Sequence, residues 1–242
     1  MTFNRKIWLN WKTRKPCPIC GTGILNIPTK DGVLKSETES SKEMNSYGGH
    51  YDSDYVFSIH LKCSECSETV AVSGFMSEEN YPSDEEIGIQ KSITPVVFYP
   101  APKIIEIPKS CPKSVTKILN ETFGLYWLDL GSCANKIRIA IEVLMNEQQV
   151  PKTKTTTKGE TELTLHKRLE IFEETKSEVS KHLMAIKWIG NAGSHFSDIK
   201  SEDVLDAYEL LEFTLEKLYN DREQKLLKLS DEIIKTKKPI KR

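Results

Sequence analysis

From Pro112 onward, apolar residues recur every three or four positions, the spacing of one helix face. Val115, Ile118, Leu119 and Phe123 mark a first helix, with Pro112 suited to its first turn. Ile137, Ile141 and Leu144 mark a second, starting near Asp129 and ending before Pro151. Residues 152–161 are polar and predict a loop. Residues 163–175 read as a third helix with fewer apolar positions, and Val179, Leu183, Ile186 and Gly190 form the stripe of a fourth. Ser201 is a suitable N-cap for a fifth, with Glu202 and Asp203 in its first turn. Leu205, Tyr208, Leu211, Leu215 and Leu218 give that helix its buried face, and Leu226, Leu229 and Ile233 would carry it further.

The N-terminal part has a different rhythm. Short β-branched and aromatic runs at residues 24–27, 55–61 and 69–75 predict three strands. Beside them lie Cys17-Pro-Ile-Cys20 and Cys63-Ser-Glu-Cys66, two CxxC pairs with 42 residues between them. Each pair offers two thiolates from one tight turn, and two such turns complete a tetrahedral four-sulfur site. Thiolates are soft ligands, so structural Zn²⁺ is the expected cofactor. Gly21 suits the chain reversal after the first pair. His60, three residues before Cys63, is either a substitute ligand or a strand histidine on the sheet face, and four cysteines favour the second; His50 also lies in this region.

These patterns divide the chain. Residues 1–75 read as a zinc ribbon with a polar insert at about 29–54, a long loop or hairpin extension. Residues 76–111 read as an acidic linker followed by a proline-rich extended segment, because prolines at 95, 100, 102, 108 and 112 exclude a helix. Residues 112–221 form a helical bundle, and residues 222–242 a basic helix or tail with eight bases against three acids. The expected fold class is α+β, mainly α: a small four-cysteine β-domain followed by an antiparallel bundle.

Net charge is only −1, but it is unevenly spread: residues 1–15 carry five bases and no acid, and residues 76–90 five acids and no base. Arg14 and Lys15 are candidates for phosphate contact. Trp8, Trp11 and Tyr55 are available either for stacking on bases or for covering a small core. No apolar run approaches the ~20 residues of a membrane span, and the N-terminus shows no signal-peptide pattern. With CxxC pairs read as metal ligands, a reducing cytoplasmic setting is expected. Cys111 and Cys133 read as small buried hydrophobes.

Two clusters in the helical half carry candidate chemistry. Arg138 and Glu142 stand four apart on one helix face, either as an exposed ion pair or as part of a site. In residues 187–195, Lys187, Asn191 and His195 recur at intervals of four, while Gly190, Ala192 and Gly193 are small. Such a run either caps a helix or lets another backbone or a ligand approach closely.

Phe98-Tyr99-Pro100 with Pro102, then Ala134…Arg138…Glu142, then Gly190-Asn191…His195, in this order and behind a zinc ribbon, resemble a HEPN-related family of prokaryotic domains of unknown function. The resemblance covers about half the chain. It implies a helical bundle that forms a homodimer through the bundle. It also implies metal-independent endoribonuclease chemistry, in which a histidine handles protons at the ribose 2′-hydroxyl and an arginine stabilises the phosphorane. Asn191 and His195 match the polar residue and histidine of that family's motif, but Gly190 stands at the arginine position. Arg138 or Lys187 would have to supply the missing charge. The expected function is therefore a zinc-binding, nucleic-acid-linked accessory or scaffold subunit in prokaryotic defence or stress. Its partners would be RNA or DNA and a protein of a restriction-type system. The alternative is a metal-independent, toxin-like endoribonuclease using His195 with Arg138 or Lys187, in a catalytic cluster of His195, Asn191, Arg138 and Glu142.

Overall fold

A computed structural model of the 242-residue chain describes residues 4–10, 13–27, 33–47, 52–82, 87–157, 159–194, 199–220 and 222–238. Trp11, His50 and His195 lie outside the described residues. The fold is α+β. Among the described residues no helix is long and apolar enough to cross a membrane.

The β layer is built on β3 (Ser53–Cys63), β4 (Thr69–Pro82) and β5 (Ile87–Tyr99), joined as an antiparallel meander. Two shorter strands, β1 (Leu25–Asn26) and β2 (Val33–Glu37), pair with opposite ends of β3. Alternation sets the faces. Phe57, Ile59 and Leu61 stand opposite Gly74, Val72 and Val70 and point into a small core with Leu25 and Phe98. A bulge interrupts the β4–β5 ladder between Ser73 and Gly74, opposite Pro95, which has no N–H to donate. Glycine is required there, because a Cβ on Gly74 would lie 2.2 Å from the Thr94 carbonyl oxygen.

Residues 76–92, expected as an acidic linker, are mostly sheet. The physical reason is cross-strand charge pairing. Glu78 faces Lys91 in the ladder and accepts from its ammonium at 2.8 Å and from Lys35 at 3.0 Å. Those two lysines, Lys91 first, hold the Glu78 carboxyl below its usual range. The polar insert likewise holds β2 and a helix, α2 (Glu39–Ser46), which Thr38 caps at the Ser41 N–H.

The helical layer contains α3 (Lys113–Leu128), α4 (Leu130–Glu147), α5 (Leu165–Glu173), α6 (Ser177–Ser194) and α7 (Ser201–Tyr219). Leu119, Phe123, Ile137, Ile141, Leu144, Leu183, Ile186, Tyr208 and Leu211 are fully buried in its core. Asp129 caps α4 by accepting the Ser132 N–H at 3.0 Å, and that bond lowers its pKa. Ser201 is the first helical residue of α7 and not its cap. The Asp203 carboxylate accepts the Lys200 N–H at 2.9 Å instead. Cys133 is fully buried, as expected, with its sulfur 3.3 Å from the Thr122 carbonyl and from the Tyr208 hydroxyl.

Two further segments differ from expectation. Residues 152–161 contain a hairpin, β6 (Thr153–Thr156) and β7 (Gly159–Glu162), in which threonines suit strands and Gly159 takes φ +109°. The last helix does not continue α7. Asn220 is extended, and α8 (Arg222–Thr236) starts afresh.

The N-terminus does not belong to the ribbon. A short helix, α1 (Arg5–Leu9), buries Trp8 in the bundle core, and Arg5 pairs with Asp206 and Glu209 of α7, both at 2.5 Å. The two cores meet where Phe98 packs on Trp127, with ring centroids 4.4 Å apart. Lys15 lies in the same seam, buried against Trp127 at 5.8 Å from the ring centroid. It donates to the carbonyls of Asn10 and Thr13 at 2.8 and 2.6 Å. Burial pushes its pKa down to about 8. Lys15 is therefore a seam residue and no longer a candidate phosphate contact, while Arg14 is exposed.

Trp127→Ala should remove the bundle's side of this seam at a cost of about 2 kcal/mol. Thermal denaturation should show the loss, and hydrogen exchange should quicken at residues 96–101 before it does in α4. Unchanged protection there would show that Phe98 is held by the sheet alone.

Candidate functional site

The metal ligands are set by two turns and one strand pairing. In the first turn, Cys17 donates its N–H to Gly23 at 2.8 Å, and Gly21 turns the chain with φ +72°. In the second, the Cys63 N–H bonds to Glu68 at 3.0 Å, and Ser67 adopts φ 59°. Pairing of Leu25 with Cys63 draws the turns together, and a Ser64–Ile24 backbone bond of 3.0 Å fixes them. Gly23 has no room for a side chain, since its Cβ would fall 2.3 Å from the Cys63 sulfur.

The sulfurs of Cys17 and Cys66 are 3.8 Å apart, those of Cys20 and Cys63 3.7 Å, and all four lie within 4.8 Å of one another. A tetrahedral thiolate site with metal–sulfur bonds of about 2.3 Å has edges of about 3.8 Å. The group therefore fits one metal ion. The peptide N–H groups of Gly23 and Glu65 point at the Cys20 and Cys63 sulfurs, at 3.3 and 3.4 Å. Hydrogen bonds from Thr22 and Gly23 bring the Cys20 thiol down to about 6. Backbone bonds also lower Cys63. For Cys66, the Glu68 backbone N–H lowers the pKa, but desolvation and the neighbouring sulfurs outweigh it and push the thiol up to about 12. Four thiolates this close need a cation between them. His60 is exposed opposite Ala71, on the sheet face away from Cys63, and is not a ligand.

The bundle cluster is formed where α4 meets α6. Small residues line both helices. A Cβ on Gly193 would lie 2.7 Å from the Gly131 carbonyl oxygen, and one on Gly190 would lie 2.6 Å from the Arg138 Cβ and 2.9 Å from the Ala134 oxygen. The glycines expected to admit a backbone or a ligand thus admit α4. Arg138 crosses above Gly190 and pairs with Glu142 at 3.0 Å, while its Nε is buried with no hydrogen-bond partner among the described residues. Asn191 is half-buried on the next position of α6. Lys187 is buried, with its ammonium 3.5 Å from the centre of the Trp188 ring.

Beside this crossing is a cleft of about 440 Å³, lined by Arg138, Glu142, Asn146, Lys152, Thr164 and Arg168, among others. Arg168 is the functional candidate that sequence reasoning missed. It is buried, and its guanidinium donates to the carbonyls of Pro151, Val150 and Glu142 and to the Asn146 side chain, at 2.9–3.4 Å. Burial lowers its pKa. The signal was present, since Arg168 shares the buried face of α5 with Leu165, Leu169 and Phe172.

Family models divide the chain at the seam. Residues 2–101 match a domain of unknown function, DUF8608, and residues 120–237 match another, DUF4145. Comparison with curated proteins and with solved structures gave no match.

One metal ion per chain is expected by native mass spectrometry, and Cys63→Ser should abolish it. Acidification should release the ion, since protons compete for the thiolates. Metal removal should raise hydrogen exchange in residues 15–26 and 55–72. Through Lys15 it should also loosen the Trp127 seam, visible as a change in tryptophan fluorescence. Full protection of residues 15–26 after chelation would contradict a structural metal. Separately, Gly190→Ala should cost about 1–3 kcal/mol in thermal or chemical denaturation, because the crossing has no space for a methyl group.

Proposed function

We propose that this chain is a zinc-binding, HEPN-like protein that binds a nucleic-acid strand as an accessory or scaffold subunit in prokaryotic defence or stress. Zinc is the ion chosen by four thiolates at tetrahedral spacing. A closed four-sulfur shell leaves no coordination position for substrate, so the ion's role is to hold the ribbon's turns.

The observation that carries the reading is the packing of Gly190 against Arg138. Glycine stands where the family motif has arginine, and no side chain fits there without moving α4. Gly190 therefore serves helix packing. The cations Arg138, Lys152 and Arg168 gather in the adjoining cleft, where a phosphate backbone can be gripped without being cut. Arg14 is a second, exposed contact on the ribbon.

Binding of short RNA and DNA strands, followed by fluorescence anisotropy over a salt series, tests this. Lys152→Ala should weaken binding uniformly across sequences and reduce the salt slope by about one. Absence of binding to either nucleic acid at low salt would end the proposal.

One observation favours ribonuclease chemistry as a second reading. Arg138 lies directly over Gly190, its side-chain carbons against the position a Cβ would take, one residue before Asn191. Lys187 is the weaker candidate, being stacked on Trp188. Incubation with mixed RNA in EDTA decides it: cleavage that His195→Ala abolishes supports catalysis, and an inert wild-type protein excludes it.

A further inference from the structure

Lys113, Thr116, Lys117 and Asn120 recur at helical spacing on α3 and form a polar stripe turned away from the buried Val115, Leu119 and Phe123. The segment before the helix returns alongside it. Buried Ile104 and Ile105 hold that segment, and the Glu106 N–H donates to the Glu212 carboxylate at 2.9 Å. A Cβ on Gly124 would lie 4.0 Å from that of Ala101, and the Cys111 N–H bonds to the Pro108 carbonyl at 2.9 Å as the chain turns into α3. The segment therefore runs antiparallel to α3, with Lys103 toward Lys117 and Lys109 toward Lys113. Between them lies a groove of about 470 Å³, lined by these four lysines with Thr116 and Asn120, among others. All four lysines are exposed, and none forms an ion pair among the described residues. Lys35, Lys42, Lys91, Lys136 and Lys167, by contrast, each pair with a glutamate.

Local stability does not explain this arrangement. Lys113 is the first residue of α3, at the positive end of the helix dipole, where a base is unfavourable. The first turn holds no acid, and Pro112 supplies no side-chain cap. Lys113 and Lys117 stand four apart, a like-charge pair that destabilises a helix. Carboxylates do little to offset them. Glu106 is the one acid among the described residues that line the groove, and Glu147, at its flank, accepts the Ser114 hydroxyl at 2.5 Å. Departures of this kind from helix rules are expected where a surface serves a ligand.

We infer that this groove is a second binding site, which takes the phosphate backbone of a nucleic-acid strand. The inference rests on the strand-binding reading above and adds a surface that shares no residue with the cleft beside the α4–α6 crossing. The layout of charge selects a polymer. Lys113 and Lys117 stand about 6 Å apart along the helix, and each has a lysine toward it on the other wall. A small anion would engage one such pair and leave the other unneutralised, whereas a strand with its regularly spaced phosphates engages both. Lysine ammonium groups are compact charges on flexible stems and grip phosphate without a fixed geometry. Thr116 and Asn120 add neutral donors for phosphate oxygens. An acidic peptide would also need an apolar anchor, and among the described residues no exposed large apolar side chain lines the groove.

Lysine acetylation of the full-length, metal-loaded chain, read by mass spectrometry with and without a short RNA or DNA strand, tests it. The strand should protect Lys103, Lys109, Lys113 and Lys117 and leave Lys42, on α2, reactive. Lys113→Gln with Lys117→Gln should weaken binding and lower the slope of log affinity against log salt by about 1.4, at about 0.7 for each contact on a single strand. Both side chains are exposed, so circular dichroism and the melting transition should be unchanged, and Lys42→Gln should match the wild type throughout. A strand that binds and protects Lys152 but not the four lysines overturns the inference and leaves the reading of the other cleft standing. Protection of the four lysines with Lys152 still reactive upholds the inference and removes that cleft from the binding surface. An unchanged salt slope in the paired variant overturns the inference, and absence of binding at low salt ends both. A polyglutamate chain that displaces the strand at equal charge assigns the groove to an acidic protein and likewise overturns the inference.

Discussion

The backbones of α4 and α6 cross with no space for a side chain between Gly131 and Gly193. This contact positions everything of chemical interest in the bundle. Close approach brings Arg138 over Gly190, and a guanidinium held there is paired along its own helix with Glu142. Gly131, Gly190 and Gly193 weaken the two helices by propensity, each by about 1 kcal/mol relative to alanine. The compensation is dispersion contact between backbones, which a larger residue at either position would forfeit. A sequence that reads as a poor helix is here a good helix–helix joint.

The β layer depends on different means. Its core is small, and two of its long strands, β4 and β5, extend well past it as a hairpin whose outer ladder is held by charge. Glu78 with Lys35 and Lys91 does laterally what apolar residues do nearer the knuckles. At the other end, the four sulfurs fix two turns that make few other contacts. The Lys15 carbonyl accepts the Leu25 N–H at 2.9 Å, while the Lys15 ammonium sits beside Trp127. One residue thus belongs to the first metal turn and to the seam with the bundle. The four-cysteine group, which could hold a metal ion, is thus coupled to how the two cores are joined.

Legibility followed the range of the interactions involved. Helical periodicity marked α3, α4, α6 and α7 because each buries a continuous stripe, and the CxxC spacing marked the sulfur cluster because both turns are local. Residues 76–92 were misread because their acids look solvated in one dimension and find lysines only across strands. Ser201 was misassigned as a cap because Asp203, two residues on, holds the Lys200 N–H instead. Continuation of α7 into α8 was expected because Leu218 and Leu226 share a spacing, which says nothing about an extended Asn220 between them. In the candidate site, Arg138 and Glu142 were found together as read, and Asn191 beside the crossing. His195 lies outside the described residues, and Arg168 was passed over because a basic residue in a polar-looking helix suggests solvent.

Arg168 also determines what kind of ligand the cleft can take. Its donors are already committed to three carbonyls and to Asn146, so it contributes positive potential without an open hydrogen bond. Arg138 has one nitrogen on Glu142 and a buried Nε with no hydrogen-bond partner among the described residues. Lys152 alone among the three cations is exposed. A ligand entering here meets these three cations beside the carboxylates of Glu142 and Glu162, with few fixed donors to read its shape. On the proposed reading, such a cleft contributes attraction for a phosphate backbone over recognition of any particular base, and that attraction weakens with salt. On that same reading, sequence preference has to come from elsewhere on the surface, and the exposed Arg14 beside the first cysteine turn is the proposed contributor.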